Sequence, residues 1–590
     1  MDVIEALGIA IVKNEADVIE AFVRHNLGFM DALFIADNAS VDGTREILLH
    51  LQQEGLPLVL FDDPVVAHVQ SEKMTAMYRR IVPLFKPKFV FSLDADEFVV
   101  AQSREALFAQ LRAIKPGSQA HYYWRTYIPA PVARASDDFD PLRDITYRRT
   151  SEKPRAKVIV ITNARFDNKL KIEQGNHNIT VGRRRLRTVN LNDVVLAHFP
   201  VRTIDQAVGK GLVGWITNME RRRRQGPSDM GFQKKLLYER IVYGSGLTPQ
   251  DLTAEAFRYS QAASITFEAL KDSQAAGAEE KWPDGVVYDP IKPGYSQLTA
   301  RAAASCTSLQ KVMRCVDKIL NPEAMDSVTS TEFLSIDSKY TGWRRFLSPT
   351  KAAPNPSSFF RSGRRGHREC LDIPPFRYLA ERDNPVSVLE IGCGSGGYLR
   401  YFESRGARTV KGVGDADATF KYLQRGQAER VNLSNPLDLS EVFDLVVCLH
   451  AIDRADFSQQ SVVIDNIVRH ASKRIVFCGT RPGRVESSQM HSRPILGWLE
   501  LFSSAGWYPH LFDSLALRSL ATVPRLAANL LVLTKDDSGF AVAKSALVEL
   551  EQSDVDRGAN PPNVITHPFT QTAREWEKRK FHRSTTGKFR

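Results

Sequence analysis

The 590-residue chain predicts an α/β fold made of two separate parallel sheets. Three observations carry that expectation. Between residues 4 and 97, short apolar runs alternate with segments of helical spacing, which is the pattern of parallel strands covered by helices on both faces. The same rhythm returns from "VSVLEIGCGSGG" onward, after a stretch punctuated by Pro, Ala and Ser. Several of the early apolar runs end in polar residues, as in "VKNE", "ADNAS" and "DADE". Ligands of such sheets bind outside the carboxyl ends of the strands.

In order, "IEALGIAIV" (4–12) reads as a buried strand and "EADVIEAFVRHNLG" as a helix with Val18, Phe22, Val23 and Leu27 on one face. "ALFIADN" is the next strand. "SVDGTREILLHLQQEG" is a helix with Ser40 or Asp42 near its start and Gly55 at its end. "LPLVLFDD" is a strand, "SEKMTAMYRRIVPLFK" a helix and "KFVFSLDADEF" a strand. Residues 281–365 break the rhythm, with a helix candidate near 297–320 and a linker, "SPTKAAPNPSS", at 348–358. The expected organisation is a first domain over 1–280, a helical or irregular region over 281–365, a second α/β domain over 366–540 and a basic tail over 541–590.

Composition is that of a globular protein, 43% apolar and 25% charged. No apolar run reaches the ~18 residues of a membrane span. The N-terminus lacks the basic n-region of a signal peptide. Cys306, Cys315, Cys370, Cys393, Cys448 and Cys478 form no CxxC pair, which argues against a zinc or disulfide framework and fits a reducing cytoplasm. The net charge of +11 is partly clustered, at 183–187, 221–224, 361–368 and 578–583. Such clusters suit phosphorylated glycans or an anionic membrane face, or are simply a solvated surface. No nucleic-acid-binding motif accompanies them, so no nucleic-acid partner is expected.

In "FSLDADEFVV", Asp94 and Asp96 are two apart, so on an extended strand they point the same way. Both can then reach one hard cation, Mg²⁺ or Mn²⁺. An isolated D-x-D is equally a polar strand end that caps the next helix. The surrounding motifs narrow this. "IVKNEADVIEAFVRHNLGFMDALFIADNASVDGTREIL", followed by "DADEF", resembles the opening of family 2-type glycosyltransferases with the GT-A fold, over about 1–215. The resemblance implies a nucleotide-sugar donor contacted by Asn14, Glu15, Asp37, Asn38, Asp42 and Asp94, with Asp42 and Gly43 shaping a turn. It implies a divalent cation on Asp94 and Asp96, with Asp96 as the direct ligand, and places Glu97 near the sugar or as a cap.

"GNHNI" (175–179) and "AHFPVRTIDQAVGK" (197–210) resemble later motifs of the same branch. The resemblance implies that His177 and His198 return to one cleft, His198 as third metal ligand and His177 on the acceptor side or the two exchanged, and that Arg202 and Lys210 meet the diphosphate. A partly buried histidine bonded to backbone is the plain alternative for each. There is no "ED" base followed by "QxxRW", so a processive synthase is not expected. The catalytic base is open among His177, Glu97 and an aspartate near Asp137 and Asp138.

"VLEIGCGSGG" (388–397) sets Glu390, Gly392, Gly394 and Gly396 across a strand-to-helix turn. Over about 366–510 this resembles class I methyltransferases, whose Rossmann-like domain binds S-adenosylmethionine. The resemblance implies that Asp415 takes the ribose and that Asn432 and Leu433 of "VNLSNPLDL" face the adenine. His450 of "CLHAIDR" stands in the post-strand loop, followed by Asp453 and Arg454 where Glu-His is frequent. That departure makes cofactor binding a firmer expectation than methyl transfer. A dinucleotide dehydrogenase and a degenerate scaffold are the alternatives. Together the resemblances imply a cytoplasmic enzyme, peripheral at the inner membrane face, that glycosylates a glycan or lipid-linked acceptor in cell-surface polysaccharide assembly.

Overall fold

The computed structural model describes residues 4–63, 70–130, 139–166, 169–225, 238, 241, 247–259, 285–300, 371–415, 418–482 and 491–556. They divide into two compact units, over 4–325 and 326–590. The 348–358 linker, Asp137, Asp138, three of the cysteines (Cys306, Cys315, Cys370) and the basic clusters at 361–368 and 578–583 lie outside the described residues, as do the side chains of 221–224.

The first unit opens as the alternation predicts. Strands β1 (Ala6–Val12), β2 (Ala32–Asp37), β3 (Leu58–Asp62) and β4 (Phe89–Asp94) are parallel, in the order β3-β2-β1-β4. Helices α1 (Ile19–Asn26), α2 (Thr44–Gln53) and α3 (Gln70–Phe85) connect them. All six residues of β2 are buried, as expected of a strand covered on both faces. Asp42 stands near the start of α2 as expected, its carboxylate accepting from Thr44 N at 3.0 Å. Gly43 stands at the N-cap with φ of 92°, a left-handed conformation that glycine adopts without strain.

After β4 the alternation ends. The chain turns at once into β5 (Glu97–Val100), then α4 (Arg104–Arg112), β6 (Ser118–Ile128), α5 (Pro141–Asp144), β7 (Tyr147–Arg149) and β8 (Ala156–Ile161). Strand β8 is inserted antiparallel between β4 and β6. A small sheet of β9 (Leu170–Ile172), β10 (Ile179–Val181) and β11 (Arg184–Arg185) follows. Strand β12 (Thr188–His198) runs parallel to β6 and antiparallel to β5, which sets His198 opposite Glu97. Phe98 fixes this corner, its ring edge-on to Phe22 at 6.4 Å and to Phe199 at 5.3 Å. Helices α6 (Ile204–Gln225) and α7 (Pro249–Arg258) complete the unit with β13 (Val286–Tyr288), which pairs with β7. Residues 286–288, expected in an irregular region, therefore extend this sheet.

The second unit comprises α8 (Ile373–Asp383), β14 (Ser387–Ile391), α9 (Gly397–Ser404), β15 (Thr409–Gly414), β16 (Ala428–Arg430), β17 (Phe443–Leu449), α10 (Gln460–Arg469) and β18 (Ala471–Cys478). It continues with α11 (Ile495–Ser504), β19 (Tyr508–Pro509), α12 (Leu511–Leu520), α13 (Pro524–Asn529), β20 (Leu531–Thr534) and α14 (Phe540–Asp556). The sheet order is β16-β15-β14-β17-β18-β20-β19, with β20 antiparallel to both neighbours. A dinucleotide-binding sheet runs 3-2-1-4-5-6. Here an antiparallel strand is wedged between the fifth and sixth positions. The tail expected from residue 541 begins later, because Ala543, Leu547 and Leu550 make a buried stripe on α14.

Candidate functional site

Because β1, β2 and β4 are parallel neighbours, their carboxyl ends lie side by side, and the polar strand ends do share one edge. Several of those side chains, however, are spent on holding the edge together. Asn14 is left-handed (φ 55°); its N–H donates to Ser40 Oγ at 3.0 Å and its Oδ1 accepts from Val41 N at 2.9 Å. Asp42 accepts from Ala16 N and Thr44 N, each at 3.0 Å, so it clamps the loop after β1 to the start of α2. Asp37 accepts from Ser40 N, and burial raises its pKa. Asn38 donates to Asp63 Oδ2 at 2.7 Å. Asn14 and Asp42 thus shape the loops at this edge.

The D-x-D does not act as a pair. Strand β4 ends at Asp94, and residues 95–96 turn, so the two-residue alternation of a strand fails there. Asp94 accepts from Lys157 Nζ at 2.5 Å, Gln70 Nε2 at 2.8 Å and Asn176 Nδ2 at 3.2 Å. Asp96 instead receives Lys210 Nζ at 3.1 Å, with His198 Nε2 and Arg202 Nη1 each at 3.8 Å. Burial would raise the pKa of Asp96, but Lys210, His198 and Arg202 outweigh it and hold the carboxyl below its usual range.

Glu97 is fully buried. It accepts from Trp124 Nε1 at 2.7 Å and from the Asp94 amide at 2.9 Å, and pairs with Lys157 at 3.1 Å. In this arrangement it serves as an internal strut. Arg202 is also a strut. Its guanidinium, with no side-chain exposure, bonds both oxygens of Asp17 (2.7 and 2.9 Å), Glu15 Oε2 (2.5 Å) and Phe199 O (2.9 Å). Its distance of 3.8 Å from Asp96 leaves it a fixed background charge rather than a diphosphate ligand.

His198 stacks on Trp124, and Tyr259 meets its other side at 5.2 Å. Burial lowers its pKa to about 3, so it is neutral at pH 7, as a metal ligand must be. His177 donates through Nδ1–H to Ala156 O at 2.7 Å, and burial lowers its pKa too. Its other nitrogen, Nε2, is then the basic one.

Among the described residues, no three His, Cys, Asp or Glu side chains are grouped to hold a metal. The expected Asp94–Asp96–His198 set is thus corrected, because Lys157 draws Asp94 away. Asp96 and His198 remain. Two cis ligands of an octahedral Mg²⁺ at about 2.1 Å would stand about 3.0 Å apart, against 3.8 Å here. To share one cation these two would have to approach by about 0.8 Å. Lys157, Trp124, Gln70 and Tyr259 belong to this site without any sequence motif, and Asn176 joins them from within "GNHNI". The apolar run "AKVIVI" with one lysine in it was the available signal for Lys157.

In the second unit, Gly392, Gly394 and Gly396 all have positive φ at the end of β14. A Cβ on Gly392 would meet Ala451 at 2.2 Å, and one on Gly396 would meet Leu423 at 2.3 Å, so both admit the chain's own side chains. Glu390 is buried on β14. Asp415 follows β15 and pairs with Arg454 across the edge. Asn432 is exposed and accepts from Ser434 N at 3.0 Å, while Leu433 O accepts from Asn466 Nδ2 at 3.1 Å.

His450 is buried and left-handed (φ 61°). Its Nδ1 bonds Asp453 Oδ2 at 2.9 Å and its Nε2 lies 3.3 Å from Cys478 Sγ. Burial opposes its charge, but Cys478 and Asp453 prevail and raise its pKa to about 10. The ring is thus turned into a network with Asp453 and Thr480 that supports the loop. Both Gly394 O and Ser395 O accept backbone N–H groups of residues 419–422. What remains at the sheet edge for a cofactor is Asp415, 40% exposed, and the outer face of the glycine turn.

No protein-family model and no curated protein matches the chain. Solved structures similar to part of it include several methyltransferases. The sugar N-methyltransferase KedS8 of a Streptoalloteichus species is 18% identical with a TM-score of 0.22, over 27% of this chain and 84% of that one. CalS10, an amino pentose methyltransferase of Micromonospora echinaspora, is 17% identical with a TM-score of 0.20, over 28% and 88%. The magnesium protoporphyrin IX methyltransferase of Synechocystis is 13% identical with a TM-score of 0.22, over 33% and 93%. None of the three carries an argument about activity at these scores.

Proposed function

We propose that the first unit is a GT-A, family 2-type glycosyltransferase that moves a sugar from a nucleotide-diphosphate donor to a glycan or lipid-linked acceptor. The observation that supports this best is the convergence of Asp96, His198 and Lys210 at the carboxyl edge of a parallel sheet. Lys210 binds the diphosphate as a point charge. Asp96 and His198 would hold a divalent cation, which when bound neutralises charge on the leaving diphosphate. Asp37 and Asn38 border the nucleoside. His177, neutral and with Nδ1–H committed to Ala156, takes the acceptor hydroxyl's proton on Nε2 as the new glycosidic bond forms and the bond to the diphosphate breaks. The exposed Arg183, Arg184, Arg185 and Arg187 would face an anionic membrane, placing the enzyme at its cytoplasmic side in polysaccharide assembly.

A second reading concerns the other unit. The glycine turn beside Asp415 favours S-adenosylmethionine binding and methylation of the same glycan, and the inward-turned His450 favours a non-catalytic scaffold. Two measurements decide. Mn²⁺-dependent hydrolysis of UDP- and GDP-sugars should fall at least 100-fold in Asp96→Ala, and unchanged hydrolysis would refute the donor site. Calorimetry should register S-adenosylmethionine binding, and no heat at high protein concentration would leave the scaffold.

A further inference from the structure

We propose that Lys210 is a resident counter-cation of Asp96 that keeps a divalent cation out until the donor's diphosphate draws the lysine away. This rests on the donor reading above and adds an order of events to it. Asp96 is a buried carboxylate, and a buried carboxylate needs a partner. Two cations stand beside it, and they differ in freedom. Arg202 is tied by Asp17, Glu15 and Phe199 O and has no exposure, so it cannot follow a ligand. Lys210 makes two bonds, to Asp96 Oδ2 at 3.1 Å and to Pro200 O at 3.0 Å. Its ammonium carries three donors, and its side chain is 35% exposed. One donor is left to meet a phosphate oxygen, and the four-carbon stem lets the charge swing.

With its charge already matched by Lys210 and with Arg202 nearby, Asp96 would hold a lone divalent cation only weakly. A diphosphate would change the balance by offering Lys210 a more highly charged partner. Asp96, released from Lys210, would then hold the cation together with His198. Cation and nucleotide should therefore bind cooperatively, with Lys210 as the coupling group. Coupling of this kind is reciprocal in the two affinities.

The test is a titration of the full chain with Mn²⁺, read by electron paramagnetic resonance, without and with UDP or GDP. In the wild type the nucleotide should tighten Mn²⁺ binding at least tenfold. In Lys210→Met, Mn²⁺ alone should bind at least fivefold tighter than to wild type, while the nucleotide binds more weakly and the coupling shrinks. Asp96→Asn should abolish Mn²⁺ binding in both backgrounds. Equal Mn²⁺ affinity of wild type with and without nucleotide would overturn the proposal, even should Lys210→Met fail to fold. So would Mn²⁺ binding to a folded Lys210→Met no tighter than to wild type. If calorimetry registers nucleotide binding but Mn²⁺ binds nowhere, the donor reading stands and this proposal falls. If neither nucleotide binds, both fall.

Discussion

Trp124 stacks on His198 with ring centroids 4.1 Å apart and planes inclined by 20°, while its indole N–H donates to Glu97 at 2.7 Å. One side chain thus braces the imidazole beside Asp96 and the carboxylate behind Asp94. Trp124→Phe keeps the stack and loses the N–H, leaving Glu97 short of a donor at a cost of about 1–3 kcal/mol. Trp124→Ala loses both and should cost about 3–5 kcal/mol. Urea unfolding of the two variants measures the difference.

Lys157 is fully buried between Asp94 and Glu97. Lys157→Met removes the cation that Asp94 and Glu97 share and should destabilise by about 1–3 kcal/mol, because Asp94 keeps its charge without that partner. Without Lys157 the Glu97 carboxyl stays protonated, so adding Glu97→Gln should change stability little further at pH 7. A double-mutant cycle of urea midpoints is the check.

Stability should also report the buried acids through pH. Burial raises Glu97 to about 8 and Glu15 to about 7, each against the pull of a neighbouring cation. A raised carboxyl pKa means that the native state holds the proton longer than the unfolded chain. Its contribution is present below the ordinary 4.5 and is lost as pH rises through the native value. His198, lowered to about 3, works in the opposite direction between pH 3 and its ordinary 6.5. The difference between wild type and Glu97→Gln isolates the glutamate. Wild type should lose stability relative to the variant between pH 4.5 and 8, followed by urea midpoints at each pH.

In the second unit Arg454 occupies the carboxylate of Asp415 that a ribose would need. The pair is exposed, so breaking it should change stability by no more than about 1 kcal/mol. Arg454→Ala should leave the fold intact and tighten S-adenosylmethionine binding up to about fivefold, the equivalent of that energy. Asp415→Ala should weaken it. Calorimetry on both variants gives the sign.

Much of the polar sheet edge was legible because parallel strands make it a local property. Once "KNE", "DNAS" and "DADE" are recognised as strand ends, adjacency follows from the sheet. The division of labour among those residues was not legible. Asp94 and Asp96 look equivalent in sequence, but the turn at 95–96 sends one to Lys157 and the other to Lys210. Lys157 lies 63 residues from Asp94 on an antiparallel strand, and Arg202 lies 187 from Glu15, so neither pairing has a local trace.

By itself the sequence determined the two α/β units, the polar ends of the parallel strands and the glycine turn after β14, since these follow from short-range periodicity and backbone sterics. Only the tertiary structure decided which polar residues remain available to a ligand. Burial forces every charged group at the edge to find a partner, and partners come from strands far along the chain. That requirement turned Glu97, Arg202 and Asp42 into struts, turned His450 inward toward Asp453 and Cys478, and left Asp96, His198 and Lys210 facing one another.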